Sequence, residues 1–335
     1  MYKTEKYLRD CLDSLSLQSL RDVEFILIDD GSPDNCGAIA EEYAGKDNRF
    51  VVVHKSNGGL VSAWKEGLKN AAGDYIGFVD SDDFVDGDMF NKMTDMAIEH
   101  CVDMVCCGMV AFNNGEKQER RLIASPGYYN RKKIENVILP YIIDAGEYNG
   151  YSRILNSARV NKIFRRELLS SNLQYFDSRV SFGEDLIVTY AAVAKAESIY
   201  VMNECFYYYR YNGQSITHKY NPTLQIENDL CISIYEQITK DNNLHQYKDQ
   251  IYRNAAHISF RLISNVLLIP GITVKDAKTA IKKIINDEYV VKGARLVDTH
   301  KASIVVKIKF YLLRHKFYNL LYLVYHHKKR QITNG

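Results

Sequence analysis

No run of about 18 uncharged apolar residues occurs in the 335-residue chain, so no ordinary membrane-crossing helix is expected. A secretory leader is not seen either, because residues 1–20 read as a helix of mixed charge. The cysteines argue against a disulfide scaffold: they number seven, an odd count, and include no CxxC pair of the metal-binding kind. These absences suit a reducing cytoplasm. Internal repeats and low-complexity linkers are lacking, and Trp64 is the one tryptophan. Net charge is small at +2, although its distribution is uneven.

What is present reads as a folded protein: 46% of residues are apolar and 25% charged. The length suffices for one large domain or a domain with an appended module. The 25 tyrosines read as half-buried core, although tyrosine also stacks on sugar rings. Two acidic clusters stand at the ends of apolar runs, Phe25-Ile26-Leu27-Ile28-Asp29-Asp30-Gly31-Ser32 and Tyr75-Ile76-Gly77-Phe78-Val79-Asp80-Ser81-Asp82-Asp83. Short apolar, β-branched runs read as buried parallel strands, and open α/β sheets hold ligands beyond the carboxyl ends of their strands. Carboxylates spaced Asp-x-Asp there suit a hard cation, and the cation suits a diphosphate.

Along the chain the pattern predicts a helix over 5–17 and a strand over 23–28. Ser32-Pro33 reads as an N-cap with proline at the first position of a helix to about 44. A strand over 50–53, a helix over 58–72, a strand over 75–80, a helix over 87–100 and a strand over 103–112 follow. This β-α alternation predicts a doubly wound, mostly parallel sheet flanked by helices. Helices are expected over 131–145, 160–171 and 184–196, a strand over 207–211, and mainly helices beyond 222.

With both clusters placed, the chain resembles the family 2 glycosyltransferases of the GT-A fold, of the bacterial surface-polysaccharide kind. The matching pieces occur in order: Glu5-Lys6-Tyr7-Leu8, Ile28 to Ser32, Asn57-Gly58-Gly59-Leu60, Gly73 to Asp83, Asn161-Lys162, Gly183-Glu184-Asp185, and Tyr209-Arg210 with Ser215. The resemblance implies a GT-A domain over 1–220, a helical region over 221–300 and a basic tail over 301–335. It implies an inverting, metal-dependent transfer of a sugar from a UDP-sugar donor to a surface-polysaccharide or lipid-linked glycan acceptor, with Mn2+ or Mg2+.

Under that resemblance, Asp82 ligates the metal and Asp80 shares its shell or faces the ribose. Asp29 and Asp30 read the nucleoside, with Tyr2 and Asn57 in the nucleotide site. Arg210 and Ser215 close over the diphosphate, where the guanidinium fork suits phosphate oxygens; His218 is a weaker candidate. Asp185 is the base that removes the acceptor hydroxyl proton, and Glu184 orients the acceptor. Read locally, Glu184 and Asp185 are also ordinary residues for the first turn of a helix.

The sequence departs from the family pattern twice. Ala63-Trp64-Lys65 stands where relatives carry Ala-Arg-Asn, so Trp64 either stacks on a base or packs on the sheet. The family's first strand ends in Pro-Val-Tyr-Asn, whereas this chain begins Met1-Tyr2-Lys3-Thr4. A central strand pairs on both sides, and its loss leaves backbone groups unpaired. A mis-assigned start, a valine codon read as Met1, is therefore expected. The alternative is a non-catalytic, sugar-nucleotide-binding or partner-binding remnant.

Residues 301–330 carry eight Lys or Arg and no Asp or Glu, interleaved with apolar residues. A basic amphipathic segment suits an anionic membrane surface, so peripheral contact at the inner face of the cell membrane is expected. Nucleic acid is not expected, because the basic charge is confined to one tail.

Overall fold

The computed structural model describes residues 1–113, 115–144, 153–211 and 220–333. The chain divides into two compact units, one of residues 1–138 and 157–214, the other of 139–156 and 215–335.

The first unit opens with helix α1, Glu5–Ser16, whose Leu8, Cys11, Leu12 and Leu15 recur at helical spacing and are all buried. Each fully buried leucine contributes about 1.5–3 kcal/mol, so this stripe fixes which face of α1 meets the sheet. Strand β1, Phe25–Asp29, pairs in parallel with β2, Phe50–His54, and Phe25 lies opposite Phe50. Helices α2, Cys36–Ala44, and α3, Leu60–Asn70, pack on this pair.

A second, larger sheet follows. Its strands are β3 (Tyr75–Gly77), β4 (Phe84–Val85), β5 (Met104–Asn113), β6 (Glu116–Arg120), β7 (Gly127–Asn130), β8 (Lys162–Arg165) and β9 (Ser198–Arg210), in the order β3-β8-β5-β9-β4. Strand β6 also pairs with β5, and β7 with β9. Helices α4 (Met89–Glu99), α5 (Arg131–Lys133), α6 (Arg166–Ser170) and α7 (Glu184–Lys195) complete the unit.

The α/β architecture agrees with the sequence, but the sheet is mixed rather than mostly parallel. Only β1–β2 and β5–β9 run parallel; β8 enters antiparallel between β3 and β5, and β4, β6 and β7 are antiparallel. Of the antiparallel pairs only β5–β6 is a hairpin; the others join strands distant in sequence, whose direction the local β-α alternation does not carry.

Segment 160–171, expected to be one helix, is β8 followed by the short α6. Its apolar run is too short for periodicity to separate strand from helix, and pairing on both sides decides. The helix expected over 131–145 is broken into α5, a π turn over Ile134–Ile138 and a 3-10 turn over Leu139–Tyr141. The predicted Ser32 cap is also displaced, since α2 begins at Cys36 behind Asn35. Ser32 instead accepts from Lys3 N and donates to Asp34.

The second unit is helical: α8 (Leu224–Asp241), α9 (Asp249–Leu267), α10 (Val274–Asn286), α11 (Glu288–Leu296), α12 (Ile304–Arg314) and α13 (Tyr318–Thr333). The basic tail is built into it. Phe310 is fully buried, its ring 4.9 Å from His257 and 5.1 Å from Phe260. Helix α11 packs on α9 so closely that a Cβ on Gly293 would stand 1.8 Å from the Tyr252 carbonyl oxygen. Gly293→Ala is therefore expected to destabilise the protein by at least the ~1–3 kcal/mol of ordinary overpacking. Urea unfolding followed by far-UV circular dichroism measures it.

Candidate active site

The Asp80–Asp83 loop follows β3, a strand of only three residues. It is held mainly from β9. Asp83 is 2% exposed; one oxygen accepts from the Arg210 backbone N at 2.8 Å and the other from the Tyr207 hydroxyl at 2.7 Å. That hydroxyl accepts in turn from Asp80 N at 3.1 Å. Burial, followed by the charge of Asp80, pushes the Asp83 carboxyl up to about 8. Asp82 is half-buried, and its carbonyl oxygen accepts from Arg210 Nε at 3.0 Å.

Arg210, expected to close over a diphosphate, is engaged within the protein. Besides Asp82 it reaches Asp10 at 2.9 Å and lies over the rings of Tyr7, Phe84 and Phe112. Ser215 and His218 lie outside the described residues.

Helix α7 brings up the third acidic pair. Gly183 precedes it with φ +94°, a left-handed conformation open to glycine, and Glu184 and Asp185 form its first turn. Asp185 accepts from Arg159 Nη1 at 2.5 Å, while Nη2 of the same guanidinium donates to Asp80. The loop after β3 and the start of α7 therefore meet at one cation. Arg159 was not singled out by the sequence; a lone arginine just before Val160-Asn161-Lys162 carries no local signal. Burial raises the Asp185 carboxyl, with Arg159 opposing the shift. Burial and the neighbouring Asp185 charge push Glu184 up to about 7.

Trp64 is 8% exposed and packs between Phe78, 6.0 Å away, and the Arg159 guanidinium, 3.9 Å over its ring. Of the two readings offered for it, the structure has packing. Lys162 is fully buried, bonded to Ala158 O and Asn161 Oδ1.

The first acidic cluster is tied into its own loops. Asp30 accepts from Lys55 Nζ at 2.5 Å and from the backbone N of Gly58 and Gly59 at 3.0 and 2.8 Å. Burial opposes ionisation of Asp30, but these three donors outweigh it and lower its pKa. Asp29 accepts from Ser32 N at 3.0 Å and pairs with His54 Nδ1 at 2.8 Å. Gly31 has φ +64°, and a Cβ there would stand 2.9 Å from Asn57 N. Asn57 is exposed, and Tyr2 is 43% exposed with Lys3 Nζ over its ring. Met1 lies along β1, its amino group donating to Ile28 O at 2.5 Å and its carbonyl accepting from Asp30 N at 3.1 Å.

A family model described as "Glycosyl transferase family 2" matches residues 1–171. The chain is a family 2 glycosyltransferase. This glycosyltransferase is 32% identical over 306 residues to the Bacillus subtilis (strain 168) protein named "Uncharacterized glycosyltransferase EpsJ", covering 88% of this chain and 84% of the relative. It is 30% identical over 212 residues to the Staphylococcus aureus (strain Mu50) poly(ribitol-phosphate) beta-N-acetylglucosaminyltransferase TarS, covering 62% of this chain and 34% of TarS. Its fold matches the crystal structure of S. aureus TarS 1–349 in complex with UDP-GlcNAc, with a TM-score of 0.68 and 22% identity over 99% of this chain and 90% of that one.

The donor set of the glycosyltransferase fits a divalent cation. Asp80 and Asp82 offer hard carboxylate oxygens two residues apart, and Mg2+-type sites take one or two carboxylates and complete their shell with substrate phosphates and water. Among the described residues no group of three His, Cys, Asp or Glu side chains forms a protein-only metal cage.

The raised pKa of Glu184 makes stability depend on pH. Between its usual value of 4.5 and about 7, the folded protein holds a proton that the unfolded chain releases. Its contribution therefore falls as pH rises through that window and levels off above it. Urea-unfolding free energies at pH 5 and pH 7.5 should drop less in Glu184→Gln than in the wild type.

Proposed function

We propose that this glycosyltransferase moves a sugar from a nucleoside diphosphate donor, a UDP-sugar, to a hydroxyl of a surface-polysaccharide or lipid-linked glycan acceptor, with inversion at the anomeric carbon. The observation that carries the reading is the convergence of Asp80 and Asp185 on one guanidinium, which puts the Asp-x-Asp loop beside a carboxylate suited to act as base. The solved TarS complexes with UDP-GlcNAc and UDP support a uridine donor.

In this reading the acceptor oxygen bonds to the anomeric carbon while its proton passes to Asp185. The bond from that carbon to the diphosphate oxygen breaks on the opposite face. Glu184 orients the acceptor. Asp82 and Asp80 would hold Mn2+ or Mg2+, which supplies positive charge against the leaving diphosphate when bound. Asp29, Asp30, Asn57 and Tyr2 shape the nucleoside side, and Arg210 and Ser215 the diphosphate side.

One observation favours a second reading, a non-catalytic sugar-nucleotide-binding protein. Among the described residues, Met1 is the sole ladder partner of β1 on the side away from β2, and β3 is paired only with β8. The loops carried by these strands have that much less support. UDP release in a screen of UDP-sugars with Mn2+ decides between the two, and turnover rules the second out. Given turnover, Asp185→Asn is expected to lower kcat about 10²–10⁴-fold, the usual contribution of a general base, with the protein still folded by far-UV circular dichroism. Asp82→Ala should abolish transfer.

The second unit carries the partner side of the proposal, an anionic lipid surface. No helix among the described residues is long and apolar enough to cross a membrane. Helix α12 buries Val306, Phe310 and Leu313 but exposes Ile304, Ile308 and Tyr311 at helical spacing. Helix α13 exposes Leu320, Leu323 and Val324, and the rings of Tyr311, His315 and Phe317 contact one another between the two helices in sequence. Exposed Lys301, Lys307 and Lys316 flank an apolar face that carries no acid. Apolar contact plus basic charge, on the order of 1 kcal/mol per Lys near the surface, suits anionic lipid. In sedimentation with phosphatidylglycerol vesicles the full chain should pellet, less so at high salt, and the double variant Ile308→Glu, Leu323→Glu should stay in solution. Equal pelleting of both would overturn docking through this face.

A further inference from the structure

Arg159 is 2% exposed and charged, and it lies between the two acidic elements assigned to opposite jobs. Its partners are distant in sequence: Asp80 is 79 residues away and Asp185 is 26. A buried cation costs several kcal/mol unless its geometry and pairing are good. Here each terminal nitrogen takes one carboxylate, and the guanidinium lies over the Trp64 indole, its carbon 3.9 Å from the ring centre and 5.6 Å from that of Phe78. The planar fork fixes both the separation and the direction of what it binds, which a lysine ammonium on a flexible stem does not.

The arrangement is not the one stability alone would select. Arg159 Nε and Trp64 Nε1 are buried and have no hydrogen-bond acceptor among the described residues. Each such donor costs about 1–3 kcal/mol. The cluster keeps two unsatisfied donors in order to hold a guanidinium between Asp80 and Asp185.

We propose that Arg159, seated on Trp64, is a positioning residue for sugar transfer: its guanidinium sets the distance and orientation of the base Asp185 relative to the Asp80–Asp82 loop that holds the donor diphosphate. The proposal rests on the glycosyl-transfer reading. It makes Trp64 part of the same device, a ring face against which the guanidinium is seated. Arg159 itself does not touch the reacting atoms, so its loss should appear in kcat and leave donor binding largely intact.

The test compares the wild type with Arg159→Met, Arg159→Lys and Trp64→Leu in UDP release from the donor that the wild type turns over. Melting temperature and UDP–Mn2+ affinity by calorimetry are measured alongside. Misplacement of a catalytic group by about 1 Å costs on the order of 10²-fold, so Arg159→Met should lose about that much kcat with donor KM and UDP affinity within about threefold. Arg159→Lys should recover part of the rate, and Trp64→Leu should lose rate while keeping both ion pairs. Wild-type kcat in Arg159→Met overturns the proposal and leaves the glycosyl-transfer reading intact. A loss in kcat that is matched by lost UDP affinity in every variant overturns it as well. If Arg159→Met does not fold, Arg159→Lys decides: full activity overturns the proposal, and a lowered kcat at unchanged KM supports it. A wild type that turns over no donor overturns both readings together.

Discussion

A buried carboxylate, Asp83, is the constraint on which the rest of the catalytic unit depends. The strand that leads into the acidic loop has three residues and one paired neighbour, too little to hold four loop residues in a fixed shape. Asp83 transfers the task to β9, taking Arg210 N and the Tyr207 hydroxyl, while Tyr207 also holds Asp80 N. Strand β9 can bear this because it is thirteen residues long and pairs with β4, β5 and β7. The loop therefore inherits its geometry from the middle of the sheet. Burial, followed by the charge of Asp80, raises the Asp83 carboxyl to about 8, which eases the cost of holding this group inside the protein.

Three aspartates within four residues repel one another, and the structure relieves this in different ways along the loop. Burial raises the Asp83 carboxyl, Asp80 is paired with Arg159, and the Arg210 guanidinium stands against the Asp82 carbonyl. The earlier cluster is arranged otherwise. Both Asp29 and Asp30 spend their oxygens on protein donors, and what they shape is a turn, Gly31 to Ser32, and a loop, Lys55 to Gly59. A nucleoside read at Asp30 would share an oxygen that already serves the loop, which each carboxylate oxygen, with two lone pairs, permits. The two clusters looked alike as sequence; one is the frame of a binding loop, and the other is a set of charges held by their surroundings.

The elements that were legible in the sequence are those decided by local information. The apolar runs of β1, β2 and β5, the helical spacing of α1 and the glycine before Glu184 each announce themselves within a dozen residues. Strand β8 did not, since its four residues acquire strand character only by lying between β3 and β5. The antiparallel addition β7 follows from a pairing with β9 that no local pattern carries. Ser32 was expected to cap α2 and does not, because Asp29 and Asp34 claim it in a turn before the helix begins behind Asn35. The largest omission, Arg159, is of the same kind: both of its partners lie far along the chain, and only the fold brings them to it.

The two acidic clusters sit on strands that share no hydrogen bonds in the described sheets, since β1 pairs with β2 and β3 with β8. Residues 1–11 bond to both. Thr4 Oγ1 meets Ser81 Oγ at 2.9 Å, and Cys11 Sγ reaches Asp80 O at 3.7 Å, which ties this segment to the second cluster. Glu5 N donates to Asp34 at 3.0 Å, Lys3 N to Ser32 at 2.8 Å, and Met1 bonds to both Ile28 and Asp30, which ties it to the first. These bonds act beside a shared apolar core, in which Phe25 and Leu27 of β1 pack with Phe78 and Val79 on the approach to the second cluster, so the spacing between the clusters is set by that packing together with the bonds of residues 1–11.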